Sequence, residues 1–114
     1  MKGELKLSEQ TSPMLERLQE FLKTNPKDSF VRYGYSMELS KLGRVDEAVT
    51  SFRQLILDDP AYVPAYLQAG SVLARAGRKE EAKEILLKGI AAASRAGESH
   101  AYSELQGLLA ELSL

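Results

Sequence analysis

Apolar residues recur at helical spacing along most of the chain. Between residues 45 and 58 every third or fourth position is apolar, and Asp46 and Glu47 stand near the start. The apolar stripe consists of Ala48, Val49, Phe52, Leu55 and Ile56. Residues three and four apart share one face of a helix, so this pattern predicts an amphipathic helix over residues 45–58. Acids in its first turn favour the helix further, because they oppose the positive end of its dipole.

Glycine and proline mark the ends of the predicted helices. Gly43 and Gly77 each follow a helical segment, 29–42 and 64–76, and glycine suits the left-handed conformation that ends many helices. Pro60 ends the 45–58 segment, because the residue before a proline is pushed out of helical space. The next predicted helix after Gly77 begins near Arg78. No proline stops this helix, so we expect it to continue to Ala96.

The chain repeats itself at an interval of 34 residues. Residues 29–62 align with residues 63–96, and the segment 13–26 matches only the second half of such a unit. Identical pairs are Leu39/Leu73, Gly43/Gly77, Arg44/Arg78, Glu47/Glu81, Ala48/Ala82 and Ile56/Ile90. Most of these pairs fall where helices would end or touch, so the repeat indicates stacked helix pairs.

The repeat predicts the organisation of the whole chain. Residues 12–114 form one domain, and residues 1–11, which show no periodicity, form a flexible N-terminal arm. Within the domain we expect a half-repeat at 12–27, repeats at 28–62 and 63–96, and a capping helix at 97–112. The capping stripe consists of Ala101, Tyr102, Leu105, Leu108, Leu109 and Leu112. A stacked array needs such a terminal helix to cover its last apolar face.

These residues resemble the tetratricopeptide repeat, a helix pair with glycine near its turn, then alanine, an aromatic residue and a closing proline. The first unit supplies Leu39, Gly43, Ala48, Phe52 and Pro60, and the second supplies Tyr66, Gly70, Leu73, Gly77, Ala82 and Leu86. The resemblance implies an all-α fold, a short α-solenoid of about six helices in antiparallel pairs with a right-handed superhelical twist. Arg32, Ser36 and Ser94 depart from the family pattern and would loosen the edges of the array.

The resemblance also implies a concave groove lined by the first helix of each unit. Carried over by position, the candidate partner-binding residues are Phe30, Tyr33, Met37, Lys41, Leu67, Gln68, Ser71 and Arg75, with Ala101, Tyr102 and Leu105 from the last helix. Members that bind chaperone tails use a Lys/Asn clamp for a terminal carboxylate. Its key places hold Tyr33, Met37 and Gln68 in this chain, so we expect no binding of such tails.

Two groups of groove residues allow more than one interpretation. Phe30, Tyr33 and Met37 make a second apolar side on their helix, which either takes a ligand or is covered by the N-terminal arm or a neighbouring subunit. Lys41 and Arg75 are repeat-equivalent, so they should point the same way along the groove. They would accept an acidic side chain or a terminal carboxylate, or they are ordinary cations at helix ends.

Composition narrows the class of protein. The chain has 114 residues, 44% hydrophobic and 27% charged, which is typical of one soluble domain. A net charge of −1 gives no overall basic field for nucleic acid, and the local cations are interleaved with Glu80, Glu81 and Glu84. The chain contains no cysteine and shows neither a signal-peptide core nor a membrane span. We therefore expect a cytoplasmic protein that binds neither nucleic acid nor membrane.

Catalytic motifs are absent from the sequence. His100 is the only histidine, and we interpret it as a solvated residue beside the apolar stripe. The carboxylates of the DEA, EEAKE and DDP stretches are interpreted as solvated helix faces and ends. We expect no enzyme, no catalytic residue, no metal and no cofactor.

The expected function is a non-catalytic adaptor or scaffold that binds a peptide or helix of a partner protein in the concave groove. The alternative is a structural subunit that associates with itself. The first helix lacks the partner it would have in a full repeat, and a second copy could supply it in a homodimer.

Overall fold

Six helices with short connections form the structure, a computed structural model that describes residue 6 and residues 9–114. The helices are α1 (Pro13–Thr24), α2 (Ser29–Lys41), α3 (Val45–Asp58), α4 (Val63–Arg75), α5 (Lys79–Ala96) and α6 (Ser99–Leu112). The bounds of α2, α3 and α5 lie within one residue of those that the sequence predicts. The predicted all-α helical repeat is confirmed.

Local signals set the helix ends. Asp28 caps α2, and its side chain accepts a hydrogen bond from the Val31 backbone N–H at 3.0 Å. Gly43, Gly77 and Gly97 follow α2, α4 and α5 with φ angles of 78°, 78° and 70°. A side chain at such an angle would be strained, so glycine allows the chain to reverse there.

The helices form two layers. In the inner layer α4 contacts both α2 and α6 directly. In the outer layer α1 packs on α2, α3 packs on α2 and α4, and α5 packs on α4 and α6. Because the inner helices contact one another while the outer helices lie over the junctions between them, the stack curves with α2, α4 and α6 on its concave side.

Small residues allow the helices to cross closely. Ala48 and Ala82 are fully buried, as are Phe52 and Leu86, which fill the space between helices. A Cβ atom on Gly70 would lie 2.6 Å from Leu86 Cδ2, which is closer than real Cβ contacts allow. A larger residue at this position would therefore have to displace the Leu86 side chain at the α4–α5 crossing.

Repeat-equivalent arginines hold the turns at Gly43 and Gly77. Arg44 Nε and Nη2 donate to the two carboxylate oxygens of Glu47 at 2.9 and 2.7 Å. Arg78 Nε and Nη2 donate in the same way to Glu81 at 2.7 and 2.9 Å. These acids lie on solvated helix starts, as the sequence indicates, and each one also holds an arginine in a two-bond pair.

The third nitrogen of each arginine reaches the preceding unit. Arg78 Nη1 donates to Asp46 Oδ1 at 2.9 Å, and Arg44 Nη1 donates to the Gln10 carbonyl at 2.7 Å. Each arginine thus connects its own helix start to the segment one unit earlier. Most of the predicted N-terminal arm lies outside the described residues, and the limits of the repeats and of the arm stay predictions.

Two equivalent furrows on the outer side differ in how well they are filled. The furrow over α4 has a volume of about 150 Å³ and is lined by Tyr66 and Ile85, among others. The furrow over α2 has about 470 Å³, and Arg32 and Ser51 stand in the corresponding places. Arg32 Nη2 donates to Asp58 Oδ2 at 2.8 Å, so the arginine that departs from the family pattern is paired. The packing around the furrow over α2 is therefore more open than that over α4, as expected from the departures at Arg32 and Ser36 from the family pattern.

We expect Gly89→Ala to destabilise the fold. A Cβ atom there would lie 2.5 Å from Tyr66 Cβ and 3.0 Å from Leu105 Cδ2, so overpacking should lower the free energy of unfolding by about 1–3 kcal/mol. Gly107 is the matched control, because a Cβ atom there meets nothing within 4 Å. Gly107→Ala should raise the stability by up to about 1 kcal/mol. Urea unfolding of both variants measures this, and equal effects would contradict it.

The paired acids should make the stability fall at low pH. The hydrogen bonds from Arg44 and Arg78 hold the pKa values of Glu47 and Glu81 below the ordinary value of 4.5. A lowered pKa in the folded state stabilises the fold above pH 4.5, and this contribution is lost as the pH falls through the folded-state pKa.

We therefore expect the stability difference between wild type and the double variant Glu47→Gln, Glu81→Gln to be larger at pH 7 than at pH 3. Urea unfolding at both pH values measures it. The control changes Glu16 and Glu111 to glutamine, since both are exposed and neither forms an ion pair in the described structure. An equal pH dependence in both double variants would contradict this assignment.

Candidate partner-binding groove

A hollow of about 260 Å³ opens on the concave side between α4 and α6, with α2 at its edge. We call it the inner hollow. Its lining residues are Tyr33, Val63, Pro64, Leu67, Gln68, Glu98, Ala101, Glu104 and Leu105. Small-molecule sites usually have volumes of about 300–1,000 Å³. The inner hollow is smaller, so it suits one side chain of a ligand.

Tyr33 forms the rigid edge of the inner hollow. Its ring centroid lies 6.3 Å from that of Phe52, edge to face, and 5.7 Å from that of Tyr62. Burial raises the pKa of Tyr33, against a smaller opposing effect of the Gln68 side chain on α4, so the phenol stays protonated at neutral pH. The side chain is therefore held in place by its neighbours.

The predicted apolar side of α2 is divided. Met37 and Tyr33 are partly buried and pack against the main core, whereas Phe30 is 73% exposed. The chain's own helices cover Met37 and Tyr33. Of these three residues, only Phe30 presents a large apolar surface to solvent. Phe30 is the repeat counterpart of Pro64, which lines the inner hollow.

Lys41 and Arg75 lie in the last turns of α2 and α4, away from the inner hollow. Both are exposed, and Lys41 Nζ lies 3.7 Å from Glu38 Oε1. Ser71 is partly buried on α4 and is not a lining residue. Lys41 and Arg75 thus lie at the C-terminal ends of α2 and α4, whereas two acids, Glu98 and Glu104, line the inner hollow.

The family is settled by comparison with known proteins. A tetratricopeptide repeat family model matches residues 39–112. The chain belongs to the tetratricopeptide repeat family. A search of curated proteins found no match.

Solved structures agree with this assignment. A tetratricopeptide repeat domain protein from Salinibacter ruber is 31% identical over 76% of this chain and 88% of its own, with a TM-score of 0.72. A Bordetella parapertussis protein is 25% identical over 90% of each chain, with a TM-score of 0.77. The TPR2B domain of yeast Sti1, solved in a complex with pHsp70, is 21% identical over 87% of this chain and 79% of that one, with a TM-score of 0.80. This last likeness shows the fold alone.

Tyr102 lines a separate hollow of about 280 Å³ with Ala93 and Ser94 of α5, and it is not a lining residue of the inner hollow. Its role in partner binding stays a prediction. No proline stops α5, which has 18 residues against 14 in α3. Only two residues then separate α5 from α6, against four between α3 and α4.

Sequence reasoning missed the two acids of the inner hollow. Glu98 and Ala101 stand 34 residues after Pro64 and Leu67, and all four line the hollow. Continuing the repeat into α6 would therefore have found Glu98. Glu104 had no such signal, because its repeat counterpart, Gly70, is buried at the α4–α5 crossing.

Other chemistry has little support in the described part of the chain. His100 is exposed, and its Nε2 atom lies 3.4 Å from Glu104 Oε1. Among the described residues no group of three or more His, Cys, Asp or Glu side chains could hold a metal ion. None of the helices in these residues has the length and apolar composition to cross a membrane.

Proposed function

We propose that this tetratricopeptide repeat domain binds an extended peptide or a helix of a partner protein on its concave side, without catalysis. Domains of this family are generally protein–protein interaction modules. The inner hollow is the observation that carries the proposal, because it joins Tyr33, Leu67 and Gln68 from two helices in one concave site. The domain would act as a cytoplasmic adaptor or scaffold.

Phe30 is the proposed apolar anchor beside the inner hollow. Its ring is largely exposed, and aromatic side chains are enriched at the centres of protein interfaces. It lies on the same side of α2 as Tyr33, three residues away. A ligand that contacts both Phe30 and the inner hollow would lie across α2 and α4, as expected of a ligand bound in the concave groove.

The proposal predicts that Phe30→Ser weakens peptide binding by about tenfold, as loss of an interface anchor should. Peptides selected from a phage-displayed random library on the wild-type domain are the probes, and fluorescence anisotropy measures their affinity. Leu57→Ser is the matched control, since Leu57 on the outer helix α3 is 74% exposed against 73% for Phe30. Both substitutions should leave the melting temperature nearly unchanged.

Unchanged affinity in Phe30→Ser, or an equal loss in Leu57→Ser, would contradict binding on the concave side. Tyr33→Ala would be a less direct test of binding. The Tyr33 ring packs against Phe52 and Tyr62, so its removal would also affect the fold.

Self-association is the second candidate, and the exposed side of α1 favours it. Met14 and Phe21 are 46% and 45% exposed. Their repeat counterparts on α3, Ala48 and Leu55, are fully buried. The helix α1 has no preceding inner helix beside it in the described structure, so a second copy of the chain would have an apolar surface to cover.

This candidate predicts a concentration-dependent dimer in sedimentation velocity. Phe21→Glu should abolish the dimer, because a carboxylate buried in an apolar interface would be strongly destabilising. Leu57→Glu serves as the control on an exposed leucine of the outer layer. A monomer at every concentration would contradict self-association through this surface.

A further inference from the structure

We infer that the groove selects a partner segment with a lysine or arginine side chain, which enters the inner hollow and places its charged group beside Glu98 and Glu104. The inference rests on the proposed function, and adds the chemical class of the ligand. Charge, shape and the arrangement of cations along the groove each support it.

The inner hollow carries negative charge without a cation beside it. Glu98 and Glu104 are among its nine lining residues, and no lysine or arginine is. In the described structure Glu98 forms no ion pair, and Glu104 has only the exposed His100 beside it, at 3.4 Å. The hollow therefore attracts a cationic group at neutral pH.

Three acids elsewhere in the chain are paired with arginines. Glu47 and Glu81 hold Arg44 and Arg78 at the turns, and Asp58 accepts from Arg32. Those carboxylates act within the fold. Glu98 and Glu104 differ from them because they face a concave opening.

The shape of the inner hollow fits a long cationic side chain. Leu67, Ala101 and Leu105 give it an apolar lining, and Leu105 is fully buried beneath it. Lysine and arginine bury an aliphatic stem against such a surface while the charged group stays at the polar rim. A volume of about 260 Å³ leaves room for one such side chain and not for a larger ligand.

The cations at the other end of the inner helices indicate how the segment runs. Arg75 follows Leu67 by eight residues of α4, which corresponds to about 12 Å along the helix. An extended peptide spans that distance in about four residues. A segment with its basic residue in the hollow would thus bring an acidic residue, about four positions away, near Arg75 and Lys41.

Selection from a phage-displayed random-peptide library tests the inference. Wild-type domain should enrich peptides with Lys or Arg at one position and Asp or Glu about four positions away. The double variant Glu98→Gln, Glu104→Gln should lose the basic enrichment. The control variant Glu16→Gln, Glu111→Gln should keep it, because it removes the same charge from one acid in a helix first turn and one on α6 outside the hollow.

Affinity measurements make the test quantitative. Replacement of a lysine in a selected peptide by norleucine, which keeps the aliphatic stem, or of an arginine by citrulline, which keeps the shape, removes the charge and should weaken binding to wild type by about fivefold. The same replacement should have little effect on binding to the Glu98→Gln, Glu104→Gln variant, since the two changes remove one interaction. Fluorescence anisotropy gives the affinities, and thermal melts check that each variant is folded.

The outcomes separate this inference from the proposed function. The inference is wrong, and binding on the concave side is still supported, if the selected peptides lose affinity in Phe30→Ser but show no enrichment of basic residues. The same holds if the basic enrichment persists on the Glu98→Gln, Glu104→Gln variant. If neither Phe30→Ser nor Glu98→Gln, Glu104→Gln changes the affinity of the selected peptides, the inference and the proposed function are both wrong. Failure to enrich any peptide on the folded wild-type domain also counts against both.

Discussion

The close approach of α5 to α4 and α6 is the constraint on which the shape of the domain depends. Gly89 lies where a single added carbon would meet Tyr66 of α4 and Leu105 of α6. Leu105 is also a wall of the inner hollow. The distance between α4 and α6, and with it the concave site, thus depends on a position with no side chain. Interiors packed at crystal-like density transmit such a constraint over several residues.

The repeated Gly-Arg and Glu-Ala pairs combine two kinds of stabilisation. Glycine reverses the chain and alanine lets the helices cross, while the arginine pairs with the acid three residues later and reaches back to the preceding unit. Apolar side chains form the core between the helix pairs, and apolar contacts are not directional. The arginine bonds add a fixed geometry at each junction, so the motif sets the register between units as well as the turn.

The distribution of charge distinguishes the two sides of the stack. The arginine–carboxylate pairs near the turns and on the outer layer satisfy one another. The inner hollow has Glu98 and Glu104 among its lining residues and no lysine or arginine. Electrostatic complementarity contributes specificity and association rate more than affinity. In the proposed groove these acids would therefore affect which partner binds more than how tightly it binds.

The sequence by itself determined the helices, their ends and the repeat. Spacing of apolar residues, glycine after α2, α4 and α5 and proline after α3 are local signals, and a helix forms from local hydrogen bonds wherever they agree. The resemblance names Tyr33, Leu67 and Gln68 as candidate groove residues, and all three line the inner hollow. Only the tertiary structure shows that Tyr102 lies beside Ala93 and Ser94 of α5 and that Glu104 lines the inner hollow. These positions depend on contacts between distant parts of the chain, such as the fit of Gly89 against Tyr66 and Leu105, which no local pattern records.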